Sequence, residues 1–164
     1  GLVAFHRAVP RLAAAGGEDG ALAEAFLASE GRDRRLTLRM FRRVMALWST
    51  DALPLAPEDG VESWAAFRAR VTGVLGDVGR AVEGRDDADG EPHKPHRVAA
   101  FTSGGVLAVA TAVALGLDHQ GALDLTWPIF NTAWVELTWV GGRWHLGRFN
   151  ATPHLADQGL FTHV

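Results

Sequence analysis

The sequence predicts an α/β domain, and three features carry that expectation. Helix-spaced apolar residues fill the first half of the 164-residue chain. A short apolar run, Arg-Val-Ala-Ala-Phe at 97–101, meets Thr-Ser-Gly-Gly and continues into an apolar run ending at Leu117. That is the pattern of a strand buried on both faces turning into a buried helix. Finally, the alternating run Phe-Asn-Thr-Ala-Trp-Val-Glu-Leu-Thr-Trp-Val at 130–140 is followed by Gly-Gly and a second run, which reads as a hairpin. The length fits one domain spanning 1–164.

The elements follow in order. Residues 2–15 have helical spacing interrupted by Pro10, which predicts two short pieces or one kinked helix. Gly-Gly-Glu-Asp-Gly at 16–20 reads as a break, and residues 21–29 as a short amphipathic helix ending near Gly31. Residues 33–48 form the next helix, with Leu36, Met40, Val44 and Leu47 three or four apart and five arginines filling much of the rest. A proline-bearing loop at 49–60 follows. The clearest helix is 61–84, with a stripe of Trp64, Phe67, Val71, Val74, Val78 and Val82. Its Gly73, Gly76 and Gly79 each lower helix propensity by up to ~1 kcal/mol relative to alanine. Packing against a flat surface such as a sheet accounts for small residues there. Residues 85–96 are polar and proline-containing and read as a mobile surface loop.

In the hairpin, Trp134, Glu136 and Thr138 face one way, and Val135, Leu137 and Trp139 the other. Gly141 and Gly142 form the turn, and residues 143–150 return. Gly116 is placed to cap the end of the buried helix. A strand buried on both faces needs a neighbour on each edge. The hairpin supplies one or two, so the sequence reads as short of a strand.

Composition narrows the function classes. The chain is 48% hydrophobic and 21% charged, with formal net charge −3, which suits a globular protein and argues against nucleic acid as a partner. Lys94 is the only lysine, and a skewed genomic base composition explains the Ala, Gly and Arg excess. No run reaches 18 apolar residues, so no membrane span is expected. The start shows no basic region ahead of an apolar core, so no signal peptide is expected. With no cysteine, disulfides, thiolate catalysis and zinc–thiolate sites are excluded. A cytoplasmic location follows as the expectation.

The Thr102-Ser103-Gly104-Gly105 turn is the candidate site. The first N–H groups of a helix have no intrahelical partner and carry roughly +0.5 elementary charge through the aligned peptide dipoles. Glycines let a ligand approach the backbone, and hydroxyls add donors, which together suit phosphate. The competing reading is that Ser103 merely caps the helix and the glycines merely permit the turn. Both stay open on the residues alone. The turn is neither a dinucleotide fingerprint nor a Gly-Lys-Ser/Thr phosphate loop. It is not a Gly-x-Ser-x-Gly elbow either, because Phe101 stands where the first glycine belongs.

The seven histidines are scattered. His93 and His96 sit in the proline-rich loop and read as solvated rather than metal-binding, so no metal and no cofactor is expected. His6 reads as a partly buried bystander. The arginines of 33–48 read as a solvated helix face. The tryptophans of the hairpin read as packing residues.

Taken in order, several of these pieces resemble the C-terminal part of the histidine phosphatase superfamily, the phosphoglycerate mutase-like fold. The carriers are Phe101-Thr102-Ser103-Gly104-Gly105 leading into a buried helix, then Asn131-Thr132-Ala133. Trp144 to Phe149 and a closing Asn150 and His154-Leu155 complete them. Glu62-Ser63 with Phe67 and Arg70 resembles the helix that precedes this strand in the family. The resemblance covers residues 61–155 and is weak over 1–50. It implies a three-layer α/β/α fold, incomplete at the N-terminus, with residues 1–50 as a helical lid insertion, 61–164 as the core and a C-terminal β-hairpin.

The resemblance also implies a site. Ser103 would act at the phosphate, with Thr102, Gly104 and Gly105 binding it, while Asn131 and His154 would support the pocket from behind. Two departures matter. The family's nucleophile is the histidine of an Arg-His-Gly motif, which does not occur in residues 1–164. Its second active-site histidine is replaced by Ser103, as in a Ser-Gly-Gly branch of the family. The implied partner is a small phosphomonoester or inorganic phosphate, hydrolysed or only bound, with this chain alone inactive. A non-catalytic phosphate-binding or interaction module on the same scaffold is the alternative. A serine hydrolase using Ser103 has no evident histidine base. A homodimer stays open.

Overall fold

The structure is a computed structural model that describes residues 2–89, 96–155, 158–160 and 162. Its chain divides into two compact units, Gly1–Phe67 and Arg68–Val164.

The first unit is helical: α1 (Leu2–Ala15), α2 (Gly17–Ala28), α3 (Arg34–Ser49), a short 3-10 turn at Pro57–Asp59 and the start of α4 (Trp64–Asp89). Its core is Phe5, Ala8, Val9, Leu12, Ala23, Met40 and Val44. The Phe5 ring meets Phe26 edge-on at 5.4 Å and Phe41 at 5.7 Å. Helix α1 runs unbroken through Pro10. An interior proline costs ~3 kcal/mol or more, but burying each large apolar side chain contributes about 1.5–3 kcal/mol. Phe5 and Val9 before the proline and Leu12 after it are all buried, so packing on both sides of the proline outweighs the lost bond. The break falls at Gly16, with φ 74, and residues 17–20 belong to α2. A Cβ on Gly20 would lie 3.0 Å from the Leu12 carbonyl oxygen, so α1 and α2 approach closely there.

Asp33 caps α3 by accepting from the Arg35 and Leu36 N–H groups at 2.9 and 3.0 Å. Arg43 on α3 donates twice to Asp19 on α2, at 2.6 and 2.7 Å. This guanidinium holds the Asp19 carboxyl below its ordinary range, against a smaller opposing effect of burial. Arg11 donates to Asp59 at 2.8 Å. Trp48 Nε1 donates to the Glu62 carbonyl at 2.8 Å, and its ring meets Trp64 edge-on at 5.1 Å.

The second unit holds the rest of α4, then α5 (Gly104–Leu115), α6 (His119–Thr126), β1 (Trp134–Val140) and β2 (Arg143–Ala151). Strands β1 and β2 pair antiparallel, with Val140 opposite Arg143 and Trp139 opposite Trp144, and with register shifts between Trp134 and Leu137. The turn glycines 141 and 142 take φ 59 and 75, as a primed hairpin turn requires. Exposure alternates along β1 as the sequence predicts: Trp134, Glu136 and Thr138 lie outward. The hairpin packs on α5 and on α4, where Trp144 Nε1 donates to the Leu75 carbonyl at 3.0 Å. Gly79 of α4 faces the Trp139 ring so closely that a Cβ would stand 2.6 Å from two ring carbons. The flat surface expected beside the three glycines is this indole at Gly79 alone; a Cβ on Gly73 would meet nothing within 4 Å and one on Gly76 only the Arg80 side chain.

Helix α5 is buried over its middle turns, from Ala108 to Ala112. Gly116 closes it with φ 68. Helix α6 follows, and Asp118 caps it by accepting from Gly121 N–H at 2.9 Å. That bond, ahead of smaller effects, holds the Asp118 carboxyl below its ordinary range. Arg68 donates to the Leu117 carbonyl at 2.5 Å, beside the α5 C-terminus.

Three expectations need correcting. Helix α4 starts at Trp64 rather than 61 and runs to Asp89, so 85–89 belong to a helix; residues 90–95 of the expected loop lie outside the described residues. Val74 is 57% exposed, and Leu75 and Gly79 take its place on the inward side. The buried strand expected at 97–101 is neither laddered nor buried: those residues carry no regular structure and are all exposed. The cause is the one a strand always faces. Its N–H and C=O groups need a neighbouring strand, and among the described residues β1 and β2 pair only with each other. Six helices and one hairpin among the described residues make a mixed α/β chain.

Candidate functional site

The site is built where residues 97–103 enter α5. Ser103 is the residue ahead of the helix, with extended backbone at φ −87 and ψ 160. Its carbonyl accepts from both Val106 and Leu107 N–H at 3.1 Å. Its hydroxyl makes no capping bond. The same chain shows what a capping side chain does, because Asp33 and Asp118 both accept from the first-turn amides of their helices. Ser103 departs from that pattern, although serine is among the best capping residues.

The Gly104 and Gly105 N–H groups have no acceptor among the described residues. The Thr102 and Ser103 hydroxyls are exposed and make no hydrogen bond. Two free backbone donors, two free hydroxyls and the positive end of a 12-residue helix therefore meet at one exposed turn. Such a turn can hold an oxyanion. Among the described residues no histidine or arginine side chain hydrogen-bonds to residues 102–105.

Asn131 and His154 lie around the turn before β1. Asn131 N–H donates to the Thr162 carbonyl at 2.7 Å, and its amide donates to the Thr162 hydroxyl at 2.8 Å. His154 Nε2 lies 3.0 Å from the hydroxyl of Thr132, the residue after Asn131. No hydrogen bond joins Asn131 or His154 to residues 102–105.

Thr132 entered the sequence analysis only within the Asn131-Thr132-Ala133 string, without a role of its own. It takes φ 65, costly for a β-branched side chain. Asn150, at φ 55, holds this turn from the other side. Its amide oxygen accepts from Phe130 N–H at 2.9 Å, and its amide donates to the Pro128 carbonyl at 2.7 Å. An asparagine among hydrophobic strand residues was the available signal, since asparagine tolerates left-handed backbone.

The remaining candidates stay apart. His6 is exposed, next to Phe5, and His93 lies outside the described residues. No cluster of three or more metal-ligating side chains occurs among the described residues. No helix among them is long and apolar enough to cross a membrane. A cleft of about 220 Å³ in the first unit has Trp48, Asp51, Leu53, Leu55, Val61 and Glu62 among its lining residues; none of residues 102–105 lines it.

Comparison with known proteins gives one match. The family model described as histidine phosphatase superfamily (branch 1) matches residues 12–152. No curated protein and no solved structure matches the chain.

Proposed function

Because the chain belongs to the histidine phosphatase superfamily, we propose that its α5 N-terminus binds the phosphate of a small phosphomonoester. Gly104 and Gly105 N–H donate to the phosphate oxygens, and the Ser103 and Thr102 hydroxyls add two further donors. The observation that carries this reading is the unused Ser103 hydroxyl: a serine placed to cap a helix leaves the cap empty, beside two amides without acceptors. A bound oxyanion satisfies all of these groups at once.

Hydrolysis asks for more than this turn supplies. An imidazole must attack phosphorus, the bond to the leaving oxygen must break, and that oxygen must receive a proton. Cations must neutralise the equatorial oxygens as charge develops. The turn supplies dipoles and hydroxyls, and a nucleophilic histidine must come from residues other than those that form it. Asn131 and His154 act as supports of the turn around Thr132 and do not touch the phosphate.

The experiment is a titration of the chain with inorganic phosphate, followed through the amide resonances of Gly104 and Gly105. Both should move saturably, and Ser103→Ala should weaken the response. Unmoved glycine amides at high phosphate would end the reading. A second reading is favoured by the neutral Ser103 in place of a charged catalytic group: a module that binds the phosphorylated ligand without turning it over. Saturable binding with no product from a chromogenic phosphomonoester, in a polypeptide that also carries an Arg-His-Gly segment, selects that reading over the enzyme.

A further inference from the structure

Helix α3 ends on a residue that its local chemistry disfavours. The Ala52 N–H donates to the Leu47 carbonyl at 2.8 Å and the Asp51 N–H to the Trp48 carbonyl at 3.1 Å, the paired bonds of a Schellman stop. The left-handed position of such a stop is ordinarily glycine. Here it is Asp51, at φ 54, where a side chain carries a steric cost that glycine escapes. Its carboxylate also stands at the negative end of the α3 dipole, where the favoured charge is a cation. Two local rules are broken at one residue. Among the described residues the Asp51 carboxylate has no hydrogen bond or ion pair to offset either cost.

Asp51 lines the cleft of about 220 Å³ in the first unit. All of the lining comes from one stretch of chain, residues 48–63, tied across by the Trp48 indole N–H on the Glu62 carbonyl at 2.8 Å. Asp59 ties the same stretch again, accepting from the Ala56 N–H at 2.7 Å and from Arg11 at 2.8 Å. The walls are therefore set locally. Asp51 and Glu62 are carboxylates, none of the lining residues is lysine, arginine or histidine, and Leu53, Leu55 and Val61 are hydrocarbon. We propose that this cleft binds a small organic ammonium ion, its charge at Asp51 and its hydrocarbon part against Leu53, Leu55 and Val61. This does not depend on the phosphate reading.

Charge and size select the occupant. A cation relieves the Asp51 carboxylate and the end of the α3 dipole together, whereas an anion is repelled by both. The hydrocarbon walls favour an alkylammonium over a bare metal ion, which needs several oxygen ligands. No group of three or more metal-ligating side chains occurs among the described residues. The volume lies below the ~300–1,000 Å³ of sites for drug-sized ligands, so a chain of a few carbons fits.

Titration with n-butylammonium chloride at fixed ionic strength tests this, followed through the Ala52 amide and the Trp48 indole N–H. Both signals should move saturably. Affinity should fall about fourfold for each methylene removed from the probe, and 1-butanol and butyrate should not compete. Asp51→Asn keeps a residue that tolerates left-handed backbone and should weaken binding by about tenfold or more. Asp51→Gly should weaken it as much while raising the urea midpoint, because it removes both the strain and the charge at the helix end. A variant more stable than the parent that no longer binds separates a lost ligand from a lost fold.

Butylammonium that causes no saturable shift overturns the proposal. So does 1-butanol that binds as well as the amine, or undiminished binding by either variant. Shifts reproduced by ammonium or calcium chloride at equal concentration overturn it too, because they need no hydrocarbon. An Asp51→Gly chain less stable than the parent removes its premise.

Discussion

Replacing Gly79 with alanine isolates one contact of the second unit. The added Cβ would stand 2.6 Å from Cδ2 and Cε3 of Trp139 and 2.8 Å from Cε2. Carbon atoms pack at ~3.5–4.0 Å, so the overlap is on the order of 1 Å against a ring held by its partner Trp144 at 5.1 Å. Overpacking of this kind costs ~1–3 kcal/mol. Against it stands the gain in helix propensity, up to ~1 kcal/mol. Gly73→Ala on the same helix is the control, because a Cβ there meets nothing within 4 Å; it shows the propensity gain alone. The two variants should therefore differ by about 1–3 kcal/mol, with Gly73→Ala the more stable. Urea denaturation followed by tryptophan fluorescence and far-UV circular dichroism reads the difference as a shift in midpoint at constant slope. In a Trp139→Val background the ring is gone, and Gly79→Ala should become as favourable as Gly73→Ala, a coupling that a double-mutant cycle measures. Equal midpoints for the two alanine variants in the parent chain would refute the reasoning.

Further outcomes follow from single contacts. Asp33→Ala removes the acceptor of two first-turn amides of α3 and should cost about 1 kcal/mol in the same denaturation assay. Asn150→Ala loses the bonds to Phe130 and Pro128 and leaves a left-handed backbone without asparagine, so it should destabilise by about 2 kcal/mol or more. Arg43 depresses the Asp19 carboxyl, so this pair contributes stability above the unfolded carboxyl value of about 3.9 and loses it as pH falls through the lower folded value. Arg43→Gln should remove that acid-side slope, at a cost of about 0.2–1 kcal/mol near neutrality because the pair is partly exposed; parallel acid-unfolding curves for parent and variant would contradict it.

What the sequence disclosed, and what it withheld, divides along the range of the forces involved. The hairpin was legible because alternation along β1 and a Gly-Gly turn are local, and the structure sets Trp134, Glu136 and Thr138 outward as the alternation requires. Helix α5 and its Gly116 cap were legible for the same reason. For residues 2–15 the sequence left two short pieces or one kinked helix open, and the structure has the single helix; burial of Phe5, Val9 and Leu12 in a core that only tertiary packing creates decides between them. The run at 97–101 has the composition of a buried strand, yet composition cannot supply the neighbour that makes a strand. At the site, the Thr-Ser-Gly-Gly string located the turn, but only the coordinates show Ser103 leaving its cap unused. The positive φ of Thr132 was not legible because a β-branched residue gives no local signal for left-handed backbone.

The charge balance of the turn leads to one last prediction. A phosphomonoester carries about −1.5 to −2 charge at pH 7, its second pKa lying near 6. The helix terminus offers roughly +0.5, and hydroxyls offer dipoles alone. Binding by residues 102–105 should therefore be weak, and it should strengthen as pH rises through about 6, because the dianion gains more from the helix dipole than the monoanion does. Ser103→His adds an effect of opposite sign to that dependence. An imidazole with an ordinary pKa near 6.5 is cationic on the acid side and neutral above it, so the variant should bind phosphate more tightly than the parent below pH 6 and lose that advantage by pH 8. Phosphate titrations of both proteins at pH 5.5 and 8, read at Gly104 and Gly105, measure this. A Ser103→His variant that gains nothing at pH 5.5 would mean that side chain 103 does not face the bound anion, and the phosphate reading of this turn would go with it.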